Sequence, residues 1–370
     1  MTYNYLKVSN SIVKITRFSP VFCIVGLAVL VGCSADYRVR NDFRNVYDGL
    51  TDSYLVTLDY NLSSGQDYYA DHIAVPMGGV FSFPTVITDP TLRRKENGIT
   101  MVLESWNETP TGTGVGYDLG VSSDPVTESR TYYAQWTPIG GIGPAGGIVV
   151  YDKGTVSEGW RYLEMAVGAA SDINVPWHTA IYLDIDTDTG IGTGKWNTYK
   201  IVGNFNFAYG VASEIFAAYS LNTFTDWFLP SLLELQCAAE YLPEYNTYWS
   251  SSSLGTMAYA VTGPSPEQRV QTNGDAFGRP FRVFKDEHPT ASIFYATNGL
   301  DVEGDPPYDD VVHQSGDSVT VQYPMDLTRD GYVFSGWKTT PSGSGDTYQE
   351  DDEITLDRDM ILYAQWTSNP

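Results

Sequence analysis

The sequence predicts a β-rich α+β chain of several domains, and three observations predict it. Glycine (35) and proline (20) punctuate the 370 residues so often that short strands and turns are favoured over long helices. The pentapeptide Tyr-Ala-Gln-Trp-Thr stands at Tyr133–Thr137 and again at Tyr363–Thr367. Each copy follows a second tryptophan at matched spacing: Trp106 precedes Trp136 by 30 positions, and Trp337 precedes Trp366 by 29. Such a match argues for one module used twice. Only between the copies does the apolar spacing turn helical, near Phe207–Leu221 and after Ser231.

The N-terminus reads as an address. Residues 1–18 carry Lys7, Lys14 and Arg17 and no acid, and an apolar run too short to span a bilayer comfortably follows. It ends in Leu30-Val31-Gly32-Cys33, which resembles the bacterial lipobox. The resemblance implies removal of residues 1–32 and acylation of the Cys33 thiol, with Gly32 leaving room for the peptidase. An ordinary secretory signal or an uncleaved anchor that contains a cysteine is the other reading. Two or three acyl chains on one cysteine would hold a protein stably at a membrane. Ser34, rather than Asp, follows the cysteine, which points to the outer membrane and cell surface. Residues 33–52 are polar and read as a tether.

Charge excludes one class of partner. The chain carries 45 acidic and 21 basic residues, a net charge of −24, and cleavage before Cys33 would make it −27. Such a surface repels phosphate backbones and sulfated glycans, so no nucleic-acid binding is expected. Of the three cysteines (Cys23, Cys33, Cys237), no two stand at a metal-knuckle or redox spacing.

Each Tyr-Ala-Gln-Trp-Thr closes an ordered set of short strands. The second set opens at Ala291–Gly299, alternates through Ser318–Pro324, and turns into Arg329–Trp337 before the closing strand. The first opens at Tyr54–Asn61 and passes Glu104–Gly114. Gly331-Tyr332, Phe334, Gly336-Trp337 and Leu362-Tyr363-Ala364 with Trp366 resemble the internalin B-repeat, or Listeria–Bacteroides repeat, family. The first copy has Ser105 where the second has Gly336, so its central loop is expected to be rearranged. The resemblance implies small β-grasp-like folds acting as extracellular spacers, with Trp106, Trp136, Trp337 and Trp366 in their cores. Ligand stacking by these tryptophans is the alternative, against the usual inward aim of a Trp on an alternating strand.

Between the modules, Ile148–Tyr151 and Gly159–Ala166 read as strands, and Met257–Gly263 and Gly278–Asp286 as two more. Ser231 with Glu234 three residues later is a capping box. Leu235, Ala238, Ala239 and Leu242 then form one apolar stripe, and Pro243 ends the helix. Gly143–Asp152, Gly159–Glu164, Gly190–Thr198, Asp226–Leu235, Tyr248–Ser252 and Arg279–Phe284 resemble, in order, the C-terminal domain of the Legionella collagen-like adhesin. Trp227–Leu235 followed by Phe281–Phe284 also resembles the C-type-lectin-like superfamily. The implied fold is C-type-lectin-like, with two helices around small twisted antiparallel sheets.

Chemistry is sparse. Asp184, Asp186 and Asp188 alternate as in a Ca²⁺ loop, but Thr189 and Lys195 stand where an EF-hand needs Gly and Glu. The segment reads as a looser calcium site or as a solvated acidic turn; no other cofactor is implied. "GIGTGK" lacks the first glycine and the final Ser/Thr of a phosphate loop. Four histidines (72, 178, 288, 313) are scattered, and no nucleophile–base set is visible, so no enzyme activity and no catalytic residue are expected. The expected organisation is a signal (1–32), a tether (33–52), a degenerate B-repeat (53–138), a C-type-lectin-like domain (139–287) and a B-repeat (288–370). The expected function is lipid-anchored surface binding or adhesion to a neutral glycan or an extracellular protein. The alternatives are an envelope component without a specific ligand and a degenerate enzyme-like domain.

Overall fold

A computed structural model describes residues 3–8, 11–16 and 52–369, apart from 88, 90, 91, 178–184, 186, 205–209, 272–275 and 300. The lipobox Leu30–Cys33, His178, Asp184 and Asp186 lie outside the described residues. The described chain is β-rich, with several sheets and no barrel among them. It divides into two compact units, Met1–Lys95 with Met101–Thr137, and Glu96–Thr100 with Pro138–Pro370.

In the first unit Ser53–Asp59 pairs antiparallel with Ala70–Pro76. It also runs parallel to the start of Arg130–Ile142, with Val56 opposite Arg130 and Asp59 opposite Tyr133. The alternation of Val56 and Leu58 turns these residues into a core with Phe83, Leu103, Trp106 and Tyr132. Trp106 is fully buried and opposes Tyr117 across a short antiparallel pair.

The second unit holds the middle segment and the second copy. Ile148–Ser157, Trp160–Met165 and Phe281–Phe284 form an antiparallel succession. Thr247–Leu254, Met257–Thr262 and Gln268–Gln271 form a second sheet. The serine-rich Thr247–Leu254 strand was not predicted; its hydroxyls bond backbone groups instead of facing solvent, as where Ser252 Oγ accepts from Leu232 N. Helices are Gly194–Asn204, Val211–Ala218 and Leu232–Cys237. The last begins at the Ser231 capping box, with both reciprocal bonds formed. It stops after six residues and passes into the Ala239–Tyr241 3₁₀ turn, so the predicted stripe is shared by two elements. In the second copy Ile293–Ala296 runs parallel to Met360–Ser368, which pairs antiparallel with Tyr332–Lys338.

The pentapeptide recurs because the same bonds recur. In each copy an asparagine with positive φ, Asn61 (48°) or Asn298 (56°), ends the opening strand. Its amide donates to the carbonyls of Pro110 and Ala134, or of Pro341 and Ala364. The next glutamine folds back on the tyrosine carbonyl, Gln135 on Tyr133 and Gln365 on Tyr363. The closing tryptophan ring donates to the opening strand's exit, Trp136 to Tyr60 O at 2.8 Å and Trp366 to Thr297 O at 3.0 Å. Trp106 and Trp337 are both fully buried and donate to Pro84 O and Gln322 O. Gly336 takes φ 124° at a register shift, whereas Ser105 is not among the left-handed residues, so the central strands of the two copies differ there.

Replacing Asn298 by Ala should remove two buried-carbonyl bonds and force alanine into the left-handed region, costing about 1–3 kcal/mol in urea unfolding. Asn298→Gly keeps the backbone and should cost less. Equal losses would show that the left-handed backbone adds nothing and that the lost amide contacts carry the whole effect.

Candidate binding surface on the second unit

The glycine loop is filled from within. Gly190–Gly194 wraps the side chain of Glu234, which accepts from Gly192 N at 2.8 Å and from Ser231 N at 2.7 Å. Gly194 N donates to it as well. A Cβ on Gly194 would fall 2.1 Å from a Glu234 oxygen. The anion cradled by these backbone N–H groups is therefore the protein's own carboxylate, buried at the start of the Leu232–Cys237 helix. Burial pushes its pKa up to about 7, against the pull of its backbone donors.

Asp188 serves the same loop. One carboxylate oxygen accepts from Gly190 N, its backbone N donates to Asn197 Oδ1, and its carbonyl accepts from Asn197 Nδ2 and Ser252 Oγ. Among the described residues no group of three or more His, Cys, Asp or Glu is arranged to hold a metal ion.

The arginines of "GRPFRVF" are internal. Arg282 is fully buried, and its Nε and Nη2 reach the two oxygens of Asp226 at 3.0 and 2.9 Å. Its Nη1 reaches Glu164 at 3.0 Å. Glu164 also accepts from Gly147 N, and Asp226 from the N and Oγ1 of Thr290. Burial alone would raise both carboxyls; the arginine, Lys195 and Thr290 hold Asp226 below its usual range, whereas Glu164 stays raised. Arg279 likewise donates to Ala166 O and Gly168 O and pairs with Asp172. Cys237 is a half-buried free thiol whose pKa burial raises.

Among the exposed tyrosines of this unit, Tyr308 packs against a tryptophan. Trp196, on the Gly194–Asn204 helix, packs inward on Phe294 at 4.4 Å between ring centroids and outward on Tyr308 at 4.3 Å. Tyr308 is 60 % exposed. Its hydroxyl is raised to about 12, by burial first and then by the fields of Asp310, Asp309, Asp188 and Glu158. The loop bearing it is pinned where Val312 N donates to Glu158 O and where His313 meets Asp309 at 2.9 Å. The sequence reading passed over Tyr308 as part of an acidic loop. Its only signal was an aromatic residue inside a Pro-Pro-Tyr-Asp-Asp run.

The four module tryptophans contribute nothing to this surface. Trp106 and Trp337 are fully buried, and Trp136 and Trp366 spend their ring N–H groups on backbone carbonyls. With that geometry, the family model for the Listeria–Bacteroides repeat domain matches residues 292–365.

Two proteins of Evansella cellulosilytica are similar to parts of the chain. One, named as a Gly-rich membrane protein, is 36 % identical over 96 residues, covering 24 % of this chain and 11 % of the relative. The other, named as a membrane protein, is 36 % identical over 95 residues, covering 22 % and 14 %. The chain thus spans little more than a tenth of the length of these relatives. No solved structure matches it.

Arg282→Met should strand two buried carboxylates and lower stability by about 3–5 kcal/mol, read by chemical denaturation. Glu234 binds its proton more tightly when folded than at the unfolded value of 4.5. Between about pH 4.5 and 7 the folded state keeps a proton that the unfolded state has lost, so stability falls as pH rises through that window. Glu234→Gln should flatten this part of the melting-temperature profile. A slope unchanged in the variant would remove Glu234 as its source.

Proposed function

We propose that this chain is a lipid-anchored bacterial surface protein that binds an extracellular ligand through the Trp196–Tyr308 face. One observation carries the reading: an exposed tyrosine is held against a half-buried tryptophan and ringed by Asp188, Asp309, Asp310 and Glu158. A tilted aromatic pair in a negative field attracts flat or cationic groups and repels anions. The chemistry it fits is a neutral or amine-bearing sugar ring, with a basic extracellular protein as the other class. Acylation at Cys33 and an outer-membrane location belong to the same proposal, supported by the Leu30–Cys33 motif and by membrane-protein names among the relatives.

We read residues 53–138 as a second, degenerate copy of the repeat, supported by the shared asparagine, glutamine and tryptophan hydrogen bonds. We read residues 139–287 as a C-type-lectin-like domain. That reading is supported by the capping-box helix, the Arg279–Phe284 segment and the small three-stranded antiparallel sheet. The repeats act as spacers that hold the middle segment away from the membrane.

A glycan and matrix-protein array probed with the purified chain tests the reading. Saturable binding should persist in about 0.5 M salt, where exposed charges are largely screened. Tyr308→Ala should weaken it about fivefold while leaving the melting temperature unchanged, because an exposed aromatic contact adds roughly 1 kcal/mol to binding. Absence of saturable binding, or equal binding by the variant, would favour an envelope component without a ligand at this face.

A further inference from the structure

Lys195 is the one buried lysine among the described residues, 2 % exposed in the first turn of the Gly194–Asn204 helix. Its Nζ lies 2.9 Å from Oδ1 of Asp359, whose side chain is 5 % exposed and which immediately precedes the closing strand of the repeat. The Tyr199 hydroxyl faces the same carboxyl and is itself buried. By distance these groups touch, yet Lys195 Nζ, both Asp359 oxygens and Tyr199 OH align no directed hydrogen bond. On the far side Tyr199 packs with Phe294, Ile361 and Tyr363 in an apolar cluster. Asp226 is the other carboxylate that acts on the pair, and it is already engaged by Arg282 and Thr290.

An amine and a carboxyl buried together are costly as ions and poorly satisfied as they stand. Moving one proton from nitrogen to oxygen neutralises both, and burial raises the Asp359 pKa in that direction. Arginine could not take part, because its guanidinium does not deprotonate in proteins. The surface pair Lys153–Glu158, with a glutamate side chain 54 % exposed, lacks the burial that would favour neutralisation.

The geometry points to an intramolecular isopeptide bond between Lys195 Nζ and Asp359 Cγ, joining the middle segment to the repeat. The neutral amine's lone pair attacks Cγ of the protonated carboxyl, and a C–N bond forms. The bond from Cγ to the hydroxyl oxygen breaks. That oxygen takes one proton from the nitrogen, with the Tyr199 hydroxyl placed to relay it, and leaves as water. A secondary amide retaining one N–H remains, and no oxidant, reductant or activating group is needed. The linkage closes the whole stretch from 195 to 359 into one covalent ring and removes both buried charges.

The test is tryptic mass spectrometry of the full chain after denaturation. An acylated lysine is not cleaved, so residues 162–200 should stay joined to 359–370, lighter by one water than the sum of the two peptides. Lys195→Arg should yield the unlinked peptides 162–195, 196–200 and 359–370, and the intact variant should migrate more slowly in a denaturing gel. Cleavage after Lys195 together with free 359–370 throughout the wild-type population would mean an ion pair only and would overturn the proposal. Persistence of a branched species in Lys195→Arg would do the same.

Discussion

Arg282 is the constraint on which the second unit depends. A guanidinium with no solvent exposure needs negative charge on more than one side, and two distant carboxylates supply it. Glu164 comes from the strand beside Arg282, and Asp226 from the turn before the capping-box helix. Asp226 in turn accepts from both the backbone and the hydroxyl of Thr290, at the threshold of the repeat. Removing one partner of such a node costs about 3–5 kcal/mol, against about 0–1 kcal/mol for an exposed pair. The buried node, rather than exposed pairs such as Arg329–Asp301, therefore fixes how the repeat docks on the middle segment within this unit. Residues 138–370 accordingly form one compact unit, although a sequence boundary near 287 separates two patterns.

What the sequence made legible was local. The matched tryptophan spacing, the Ser231–Glu234 box and the strands at Ile148, Trp160 and Met257 all follow from period and capping chemistry within a few residues. The Gly194–Asn204 helix was missed, because glycines, Trp, Asn and Thr are weak helix formers and the stretch reads as a loop. Tertiary packing overrides that preference: Thr198 bonds both Gly194 O and Leu229 O, and Asn197 holds Asp188. Arg282 with Glu164 and Lys195 with Asp359 are separated by more than a hundred positions, and no periodicity reports such pairs. Tyr308 was hidden for the opposite reason, since an exposed aromatic residue in an acidic loop has no pattern at all.

The glycine loop shows why a motif must be followed to its partner. Its Gly192 and Gly194 N–H groups, with that of Ser231, do gather an anion, as a phosphate loop would, but the anion is Glu234. The polar interior of this unit is thus committed to holding itself together. The aromatic face at Trp196 and Tyr308 lies outside that interior, and its acidic surroundings match the charge of the whole chain.

In both copies the first strand lies parallel and adjacent to the last. The chain therefore enters each module at one end of the sheet and leaves at the other. Tension applied along the polypeptide would load every rung of that parallel ladder at once, in shear, rather than unzip it bond by bond. Such a connection resists mechanical extension.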